Sequence, residues 1–549
     1  AFFYEQGRKP SDPRGGFWWI EIGIPWHTIH DNETIRHELT RHALGVWDWM
    51  KNRDPRMRER CRTYALDFIG QVPGKRESRR IVGRHWLDEN ALQAREHFPD
   101  EIAFGGWFVD LHTPGGLLAP TSEPASAEGY RPDSEYAAKS YIGPYGIPLR
   151  SLMARDVDNC FLAGRCISTT RAALGTVRVM ATTALMGEAV GTAAGIMREQ
   201  ELDLPALATD CETGGPVIRA VQQRLLRRGN WLPHVAHADP GDLARQARAS
   251  ASSSALLHGQ SPADPILRGN LKWRPRGEHE SCAQRQAQIV FLDGGALDSI
   301  ELQLVGQGRL AVRLVRVTDI WDYRVGGSAV VAEGTLDVDG EQPCWYAWHC
   351  GLRDLPAGAY RIETGPGADA VSWSCVLGLQ PGCVAQYHCS PTRLRARHNG
   401  QAFRLSPPQA VYGPEQVLSG VSRPQAASNC WRSDAGAGLP QWLQLDWDGR
   451  QRIGSVELCL AGHLLVEVHA EPPFYRDRQT LRDYCIQVPD AAGGWRDCLR
   501  VTDNYRRHRV HPLPEPVETD RLRLLCLATN GDPAACVYEL RCYAGSGPS

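Results

Sequence analysis

Residues 159–199 constrain the fold of this 549-residue chain more than any other stretch. An apolar run at residues 160–163 is predicted to form a strand that breaks at Gly164, and a polar loop leads to Gly175. We predict that a long helix of small and apolar residues starts there. Three of its glycine residues lie four positions apart and so share one face: Gly187, Gly191 and Gly195. Each costs a helix about 1 kcal/mol relative to alanine, which indicates either a group that approaches the backbone or tight packing on a sheet.

The same stretch resembles the C-terminal cofactor-closing motif of FAD-dependent oxidoreductases with the glutathione-reductase-like fold, in particular a bacterial subgroup. The strings AGRCIS and ALGTVRVMATTALMGEAVGTAA carry the resemblance. It implies that the helix directs its N-terminus at the flavin ring, where its partial positive charge stabilises a reduced flavin. The residues that the resemblance implies for FAD binding are Gly164, Arg165, Ser168, Gly175, Thr176, Arg178, Val179, Met180 and Gly187.

The beginning of the chain lacks a feature that this resemblance implies. No G-x-G-x-x-G follows a predicted strand near Ala1, although a dinucleotide-binding fold requires that fingerprint. We therefore expect an N-terminally truncated α/β flavoprotein portion over residues 1–235. By itself, this portion is expected to bind FAD poorly or not at all.

Residues 74–83, GKRESRRIVG, follow a Pro-Gly turn and are predicted to form a strand. The family carries a very similar RESRRI motif where its substrate domain meets the flavin. The resemblance implies that Arg79 or Arg80 holds a carboxylate or polar group of the substrate through paired hydrogen bonds. The alternative is a structural Arg–Glu pair.

Residues 104–116, FGGWFVDLHTPGG, contain the candidate base. Alternation along a strand places Asp110 and His112 on one face. Histidine is the usual group for taking a proton near neutral pH, and the family has a comparable GGW-x-x-D-x-H stretch. We predict a catalytic or substrate-contacting role for His112, oriented by Asp110, with a purely structural histidine as the alternative.

Composition excludes several function classes. The net charge is -2, from 61 basic and 63 acidic side chains, and no long apolar span or signal peptide is evident. We predict neither nucleic-acid binding nor a membrane span. The 17 cysteine residues are either paired in disulfides or buried as thiols. The protein is accordingly either cytoplasmic or exported. The clusters at residues 344–350 and 383–389 match no common zinc spacing, so no metal is predicted.

The second half of the chain changes period. After a small and polar linker, residues 236–265, alternating apolar residues such as Ile300, Leu302 and Leu304 predict a β-sandwich over residues 266–408. Residues 409–546 resemble a discoidin-like (factor 5/8 type C) domain of the galactose-binding-like fold. Core positions such as Trp431, Leu443 and Leu522 carry this resemblance, so it supports a fold more than a ligand. The polar loop at residues 503–511 is either a sugar-binding site or a solvated hairpin.

We therefore predict a multidomain protein: an α/β flavoprotein portion followed by two all-β sandwich domains. Its predicted function is FAD-dependent hydride transfer from a small substrate, including sugar-derived compounds, to flavin, with a glycan ligand for the last domain. The alternative is a carbohydrate-binding or adhesive protein with a non-catalytic flavoprotein-like scaffold. A third hypothesis, a disulfide-rich secreted structural protein, requires most of the late cysteine residues to be paired.

Overall fold

The computed structural model describes residues 20–75, 78–112, 115–118, 140–264, 278–326, 329–378, 380–397, 399–462 and 476–545. The chain divides into two compact units, residues 1–222 and residues 223–549. We call them the N-terminal unit and the C-terminal unit.

The N-terminal unit is mainly helical with a small antiparallel sheet. Strands β1 (Glu101–Gly105) and β2 (Tyr145–Pro148) pair, with Ala103 opposite Ile147. The helices are α1 (Asn32–Asn52), α2 (Arg58–Cys61), α3 (Glu89–Ala94), α4 (Arg171–Val177), α5 (Met180–Glu199), α6 (Leu204–Thr213) and α7 (Pro216–Arg227), with single 3-10 turns at Leu149–Leu152 and Gly164–Cys166. The predicted α/β character of this portion is confirmed.

The sequence predicts a helix within residues 31–50, with Asp31 or Asn32 as N-cap, and a helix within residues 87–98 that is capped by Asp88. The carboxylate of Asp88 accepts from the backbone N–H groups of Asn90 at 3.0 Å and Ala91 at 2.9 Å, which caps α3 as predicted. Helix α1 also forms where predicted, but the Asp31 side chain accepts from the backbone N–H of His27 at 2.8 Å and does not cap the helix. Asp31 therefore fixes the turn before α1.

Two predicted strands of this unit are wrong. Residues 160–163 form one isolated bridge, Phe161 opposite Met153, and the described residues of 74–83 form one, Gly83 opposite Ala154. Arg76 and Glu77 lie outside the described residues. Ile81 and Val82, the apolar end of the second stretch, are 41% and 40% exposed. With consecutive apolar residues both exposed, no buried sheet face stabilises a strand.

The predicted start of the long helix at Gly175 is also wrong. Gly175 lies inside α4, and α5 begins at Met180 after a 91° bend. A Cβ at Gly175 would come within 3.1 Å of both the carbonyl oxygen of Asp110 and a methyl group of Leu111. Glycine at this position therefore permits close packing of α4 on residues 110–111, which is a different role from the predicted turn.

The glycine stripe of α5 makes no close approach. A Cβ at Gly187, Gly191 or Gly195 would meet no described atom within 4 Å, and the first two residues are exposed. The helix instead buries other positions: Thr182, Met186, Ala189, Thr192, Ala193 and Ile196. No described atom therefore approaches this backbone closely, and a role of the stripe in cofactor binding stays a prediction.

Across the described ranges, no single helix is long and apolar enough to cross a membrane; only the bent pair α4–α5 meets such a criterion when its two parts are combined.

The C-terminal unit is built from antiparallel sheets, which confirms the all-β prediction. One sheet has the order β10-β9-β13-β6-β15-β16; a second has the order β17-β14-β8-β18-β4, with β11 on β8 and β5 on β14; β12 pairs with β7; a third has the order β19-β24-β20-β23-β21-β22, with β3 on β20. The strands are β3 (Arg248–Ala251), β4 (Leu257–Gln260), β5 (His279–Cys282), β6 (Gln286–Leu292), β7 (Gly295–Leu297), β8 (Ser299–Gly306), β9 (Gly308–Arg316), β10 (Ala329–Val338), β11 (Cys344–Trp348), β12 (Leu352–Leu355), β13 (Gly358–Thr364), β14 (Ala368–Val376), β15 (Ala385–Ser390), β16 (Arg393–Ala396), β17 (Gly400–Gln401), β18 (Phe403–Gln409), β19 (Trp431–Arg432), β20 (Gln441–Leu460), β21 (Leu481–Pro489), β22 (Trp495–Val501), β23 (His508–Thr529) and β24 (Cys536–Tyr543).

The predicted linker, residues 236–265, is partly strand. It contains β3 and β4, and β3 completes the third sheet with Ser250 opposite Gln444 of β20. The sandwich formed by β4 to β18 is therefore inserted into the module that holds the third sheet. The two ends of the insertion meet at Arg432, whose carbonyl accepts from the backbone N–H of Ala255 at 2.8 Å and whose N–H donates to the carbonyl of Tyr412 at 3.3 Å.

The third sheet covers the core predicted for the last domain. Its buried cluster includes the expected positions Trp431, Leu443, Leu445, Ile453, Val456, Tyr484, Leu522, Val537 and Leu540. Trp442 was also expected among them, but it lies on the opposite, solvent side of β20 and is half-buried. All 17 cysteine residues are free thiols in this structure, and most are buried.

Candidate flavin and substrate cleft

A cleft of about 600 Å³ opens at the start of α5. Six of the nine residues predicted to bind the cofactor line it: Gly164, Arg165, Gly175, Arg178, Val179 and Met180. Trp107, Asp110 and Thr183 complete its wall. We call this the α5 cleft. The residues from the predicted strand-loop-helix stretch thus converge on one concavity, although two of its elements differ from the prediction.

The N-terminus of α5 faces this cleft without a side-chain cap. Its N-cap residue is Val179, which has no side-chain acceptor for the first helical N–H groups. Such a terminus of a 20-residue helix carries about half a unit of positive charge. The positive end that we predicted at Gly175 is therefore present, displaced to Met180.

One wall of the cleft is the turn Gly164–Cys166. Gly164 adopts a φ of +80°, a left-handed conformation that favours glycine. Arg165 donates to the carbonyl oxygen of Lys75, and the N–H of Ile81 donates to the carbonyl of Cys166 at 3.1 Å. The stretch that carries the predicted substrate-holding residues therefore lies against this wall. Arg79 is exposed and Arg80 half-buried, and neither lines the described cleft.

Asp110 and Arg178 form the polar floor of the cleft. One Arg178 Nη donates to the carbonyl oxygen of Asp110 at 2.9 Å and lies 3.5 Å from its carboxylate. The second carboxylate oxygen, Asp110 Oδ1, is buried and has no hydrogen-bond partner within the described structure. Because buried polar atoms are usually satisfied, this oxygen is a candidate acceptor for a group of a bound molecule.

His112 lies between two carboxylates behind this floor. Its Nδ1 is 2.7 Å and 2.9 Å from the two oxygens of Glu21, and its Nε2 is 3.3 Å from Asp110 Oδ2. Residues 110–112 are irregular, so the predicted strand face does not exist, yet the two side chains do meet. The predicted orientation by Asp110 is the weaker contact, since Glu21 is closer to the ring.

A second, smaller cavity of about 80 Å³ contains His112. Asp110, Gly175 and Arg178 line both this cavity and the α5 cleft, whereas His112 and Glu21 line only the smaller one. His112 therefore reaches the cleft through Asp110.

Two predicted cofactor residues support the cleft from beneath. Tyr145 donates to Thr176 Oγ1 at 2.7 Å, and Thr176 donates to the carbonyl of Trp107 at 2.6 Å. Burial raises the pKa of Tyr145 well above its usual range, so it stays a neutral donor. Ser168 is fully buried with an unpartnered hydroxyl. Thr176 and Ser168 thus do not line the cleft, and Gly187 lies exposed further along α5.

Sequence reasoning missed three residues of the site. Trp107 belongs to the motif FGGWFVDLHTPGG and Thr183 to ALGTVRVMATTALMGEAVGTAA. Their positions close in sequence to the predicted site residues could have indicated them. Glu21 stands 91 positions before His112, in a segment without periodicity, and nothing local indicates the contact. His27 and His30, just before α1, form a turn: His27 Nδ1 accepts from the N–H groups of Ile29 and His30 at 3.2 Å and 3.3 Å.

The other candidate groups show local roles. Within the described residues, no set of three or more His, Cys, Asp or Glu side chains is arranged to hold a metal ion. In the loop of residues 503–511, the Asn504 amide donates to the carbonyls of Leu481 and Arg506 at 2.7 Å and 3.1 Å. This loop is thus fixed by internal hydrogen bonds.

Comparison with known proteins supports the assignment of the N-terminal part. Residues 3–225 match the family of FAD dependent oxidoreductases, which confirms the resemblance of this part and its cofactor, FAD. No curated protein matches the chain.

Solved structures that resemble part of the chain are carbohydrate-binding modules. The family 32 module of EndoD from Streptococcus pneumoniae is 20% identical, with 25% of this chain and 87% of that chain covered and a TM-score of 0.20. The family 32 module of NanJ from C. perfringens, in complex with galactose, is 13% identical, with the same coverage and TM-score. Chitosan-binding module 1 from Paenibacillus sp. IK-5 is 16% identical, with 24% and 86% covered and a TM-score of 0.19.

Proposed function

We propose that the N-terminal unit, as part of an FAD-dependent oxidoreductase, holds the flavin end of FAD in the α5 cleft and oxidises a small polar substrate there. When bound, FAD supplies a flavin ring that accepts a hydride. The observation that carries this proposal is the uncapped N-terminus of α5, which opens into a cleft of about 600 Å³. Sugar-derived alcohols belong to the substrate class that we favour.

The residues present fit a flavin. The free N–H groups at the start of α5 and the guanidinium of Arg178 place positive charge on one side of the cleft. Thr183 adds a hydroxyl, and the absence of a side chain at Gly164 leaves that wall open to a planar ring. These residues would hold and orient the ring, whereas Ser168 and Thr176 would act from beneath.

We assign the proton chemistry to Asp110 and His112. Asp110 lines the cleft and has an oxygen, Oδ1, without a partner among the described residues, so we assign to its carboxylate the acceptance of a proton from a substrate hydroxyl. His112 Nε2, 3.3 Å from Asp110 Oδ2, takes that proton from the Asp110 carboxyl group, and the carboxylate of Glu21 balances the charge of the resulting imidazolium. Glu21 holds the opposite ring nitrogen at 2.7 Å, which fixes the ring plane. His112 is thus the inner part of the base predicted from the sequence.

Substrate binding is assigned to the segment on the Gly164–Cys166 wall. Arg79 and Arg80 belong to this segment, and a long guanidinium side chain is suited to a carboxylate or vicinal hydroxyl groups. Arg80 is half-buried and Arg79 exposed. We therefore favour Arg80 as the residue nearer to the cleft.

FAD binding by the full chain tests the proposal. Quenching of flavin fluorescence is followed on titration with the purified protein. Thr183→Trp fills the cleft, whereas Thr209→Trp places the same indole on the exposed face of α6. We expect at least tenfold weaker binding for Thr183→Trp and no change for Thr209→Trp, with folding checked by circular dichroism. Equal affinity of the two variants would contradict the proposal.

A second function, glycan binding by the C-terminal unit, is favoured by a separate observation. The indoles of Trp442 and Trp495 both stack on Arg523 at the solvent side of the third sheet. Retention of a colourless, flavin-free protein on a glycan column would support a binding protein with an inert scaffold. Bleaching of the flavin absorbance by sugars would support the oxidoreductase.

A further inference from the structure

The outer face of the third sheet carries a row of polar side chains across five strands. Strand pairing aligns Ser250, Gln444, Arg523, Gln487 and Asp497, in that order. Their chain neighbours Leu443, Leu445, Leu522, Leu524 and Ile486 are buried in the core below. Because side chains alternate along a strand, the polar row faces solvent, and each of its members is half-buried or exposed.

Two tryptophan residues flank the centre of this row. The guanidinium of Arg523 lies 4.3 Å from the ring centroid of Trp442 and 3.8 Å from that of Trp495. Its Nε and Nη2 donate to Gln444 Oε1 at 3.2 Å and 2.7 Å. Stacking and hydrogen bonding therefore hold Arg523 in one place, with its third nitrogen, Nη1, not used in these hydrogen bonds.

Arg523 differs from the other arginine residues of this face in its charge balance. Arg500 pairs with Asp497 at 3.2 Å, and Arg248 pairs with Asp448 at 3.0 Å. No carboxylate of the described residues lies within ion-pair distance of Arg523. A fixed guanidinium without a carboxylate partner is suited to an external anion.

We propose that this face binds a linear polysaccharide that contains uronic acid. Sugar rings stack on the exposed parts of Trp442 and Trp495, because aromatic faces attract apolar C–H groups. A uronate carboxylate pairs with Arg523, and the amide oxygen of Gln487, whose Nε2 already donates to Asp497 at 2.8 Å, accepts from a hydroxyl group. The inference deepens the glycan-binding function proposed above and rests on it.

The chemistry of the face selects this ligand over other anions. Arg500 and Arg248 of this face are already paired with carboxylates, so Arg523 is the cation that these pairs leave available, whereas a nucleic acid backbone requires several. The flat sheet and the paired indoles are suited to extended chains of rings. An acidic polysaccharide supplies both a ring surface and a single carboxylate per residue.

Affinity electrophoresis of the full chain through gels with polygalacturonate or neutral galactan tests the inference. We expect retardation by polygalacturonate, weakened at least tenfold in Trp495→Ala and Arg523→Met. The matched control is Trp345→Ala, because Trp345 also stacks on an arginine, Arg404, at 3.9 Å, but that arginine is paired with Glu301. The control should bind as the parent protein does, and circular dichroism verifies each fold.

The outcomes separate this inference from the function on which it rests. Retardation by galactan that is unaffected in Arg523→Met, without retardation by polygalacturonate, keeps glycan binding but overturns the acidic ligand and this site. Absence of retardation in both gels overturns both. Equal losses in Trp345→Ala and Trp495→Ala would overturn the location of the site.

Discussion

The α5 cleft and the outer face of the third sheet hold an arginine in opposite ways. Arg178 of the cleft lies 3.5 Å from the carboxylate of Asp110, and both side chains are largely buried. Arg523 of the sheet is held by two indoles and an amide. The first arginine is part of an internal charge network, whereas the second keeps its charge for a ligand.

This difference teaches what each site can do. In the cleft, Glu21, His112, Asp110 and Arg178 are coupled over short distances, so a change in one side chain affects the others. On the sheet, Arg523 contacts two indoles and an amide, all of them neutral, so binding rather than proton transfer is favoured. Four predictions break or sharpen this contrast.

The largest expected effect follows from removing the cation of the cleft. Arg178→Ala leaves the buried carboxylate of Asp110 without this partner, which costs about 3 kcal/mol of unfolding free energy. Urea unfolding measures the loss. Arg198→Ala, at the exposed end of α5, is the control and should change stability by less than about 0.5 kcal/mol. Equal effects would show that the network does not stabilise the N-terminal unit.

The second prediction concerns acid stability of the C-terminal unit. Burial lowers the pKa of His511 to about 4, whereas an unfolded histidine has a pKa of about 6.5. The folded state therefore resists protonation, and stability is retained above pH 6.5 and lost as the pH falls toward 4. Linkage gives a loss of about 3 kcal/mol over this range.

His511→Gln isolates this contribution. Glutamine keeps a polar partner for Tyr484, which lies 2.9 Å from the imidazole, but has no titrating group. We expect the unfolding free energy of the variant to fall less steeply below pH 6.5 than that of the parent. Identical slopes in urea unfolding between pH 7 and 4 would contradict the neutral state of this histidine.

A smaller effect is expected within the cleft network. A double-mutant cycle of Glu21→Gln and His112→Gln should give a coupling energy of about 1–2 kcal/mol, typical of hydrogen bonds that involve a charged group. The same cycle with Asp110→Asn in place of Glu21→Gln should give a smaller value, because that contact is 3.3 Å rather than 2.7 Å. A larger value for Asp110 would reverse the assigned order of the two carboxylates.

The smallest effect is a gain. Gly187→Ala adds a Cβ that meets no described atom within 4 Å on an exposed helix face. Alanine should raise the unfolding free energy by about 0.5–1 kcal/mol, seen as a higher Tm. A lower Tm would mean that the glycine stripe is in contact with another group after all.

The sequence was sufficient for features that depend on local chemistry. The cap at Asp88 and the alternation of the β half were predictable, because caps and periodicity are encoded by neighbouring residues. The residues that converge on the α5 cleft were implied by the family resemblance and not by local chemistry. The strand at residues 160–163 and the helix start at Gly175 were wrong, since the bend at residues 178–179 is set by the packing of α4 on residues 110–111.

Long-range contacts were beyond the sequence. Glu21 approaches His112 across 91 positions, and β3 joins a strand almost 200 positions later. Trp442 is one of the residues that carry the resemblance, but it precedes the core residue Leu443 and so lies on the opposite face of β20. A period of two fixes which residues share a face but not which face is covered.

The inserted sandwich leaves and re-enters the surrounding module at Arg432, so its entry and exit lie side by side. An inserted domain with adjacent ends can be deleted without separating the parts of its host, because joining residue 255 directly to residue 412 closes only a short gap. The host module, in turn, is finished only when its last strands have been synthesised, long after β3 has left the ribosome. Strand β3 can therefore pair with β20 only after the whole inserted sandwich has been synthesised.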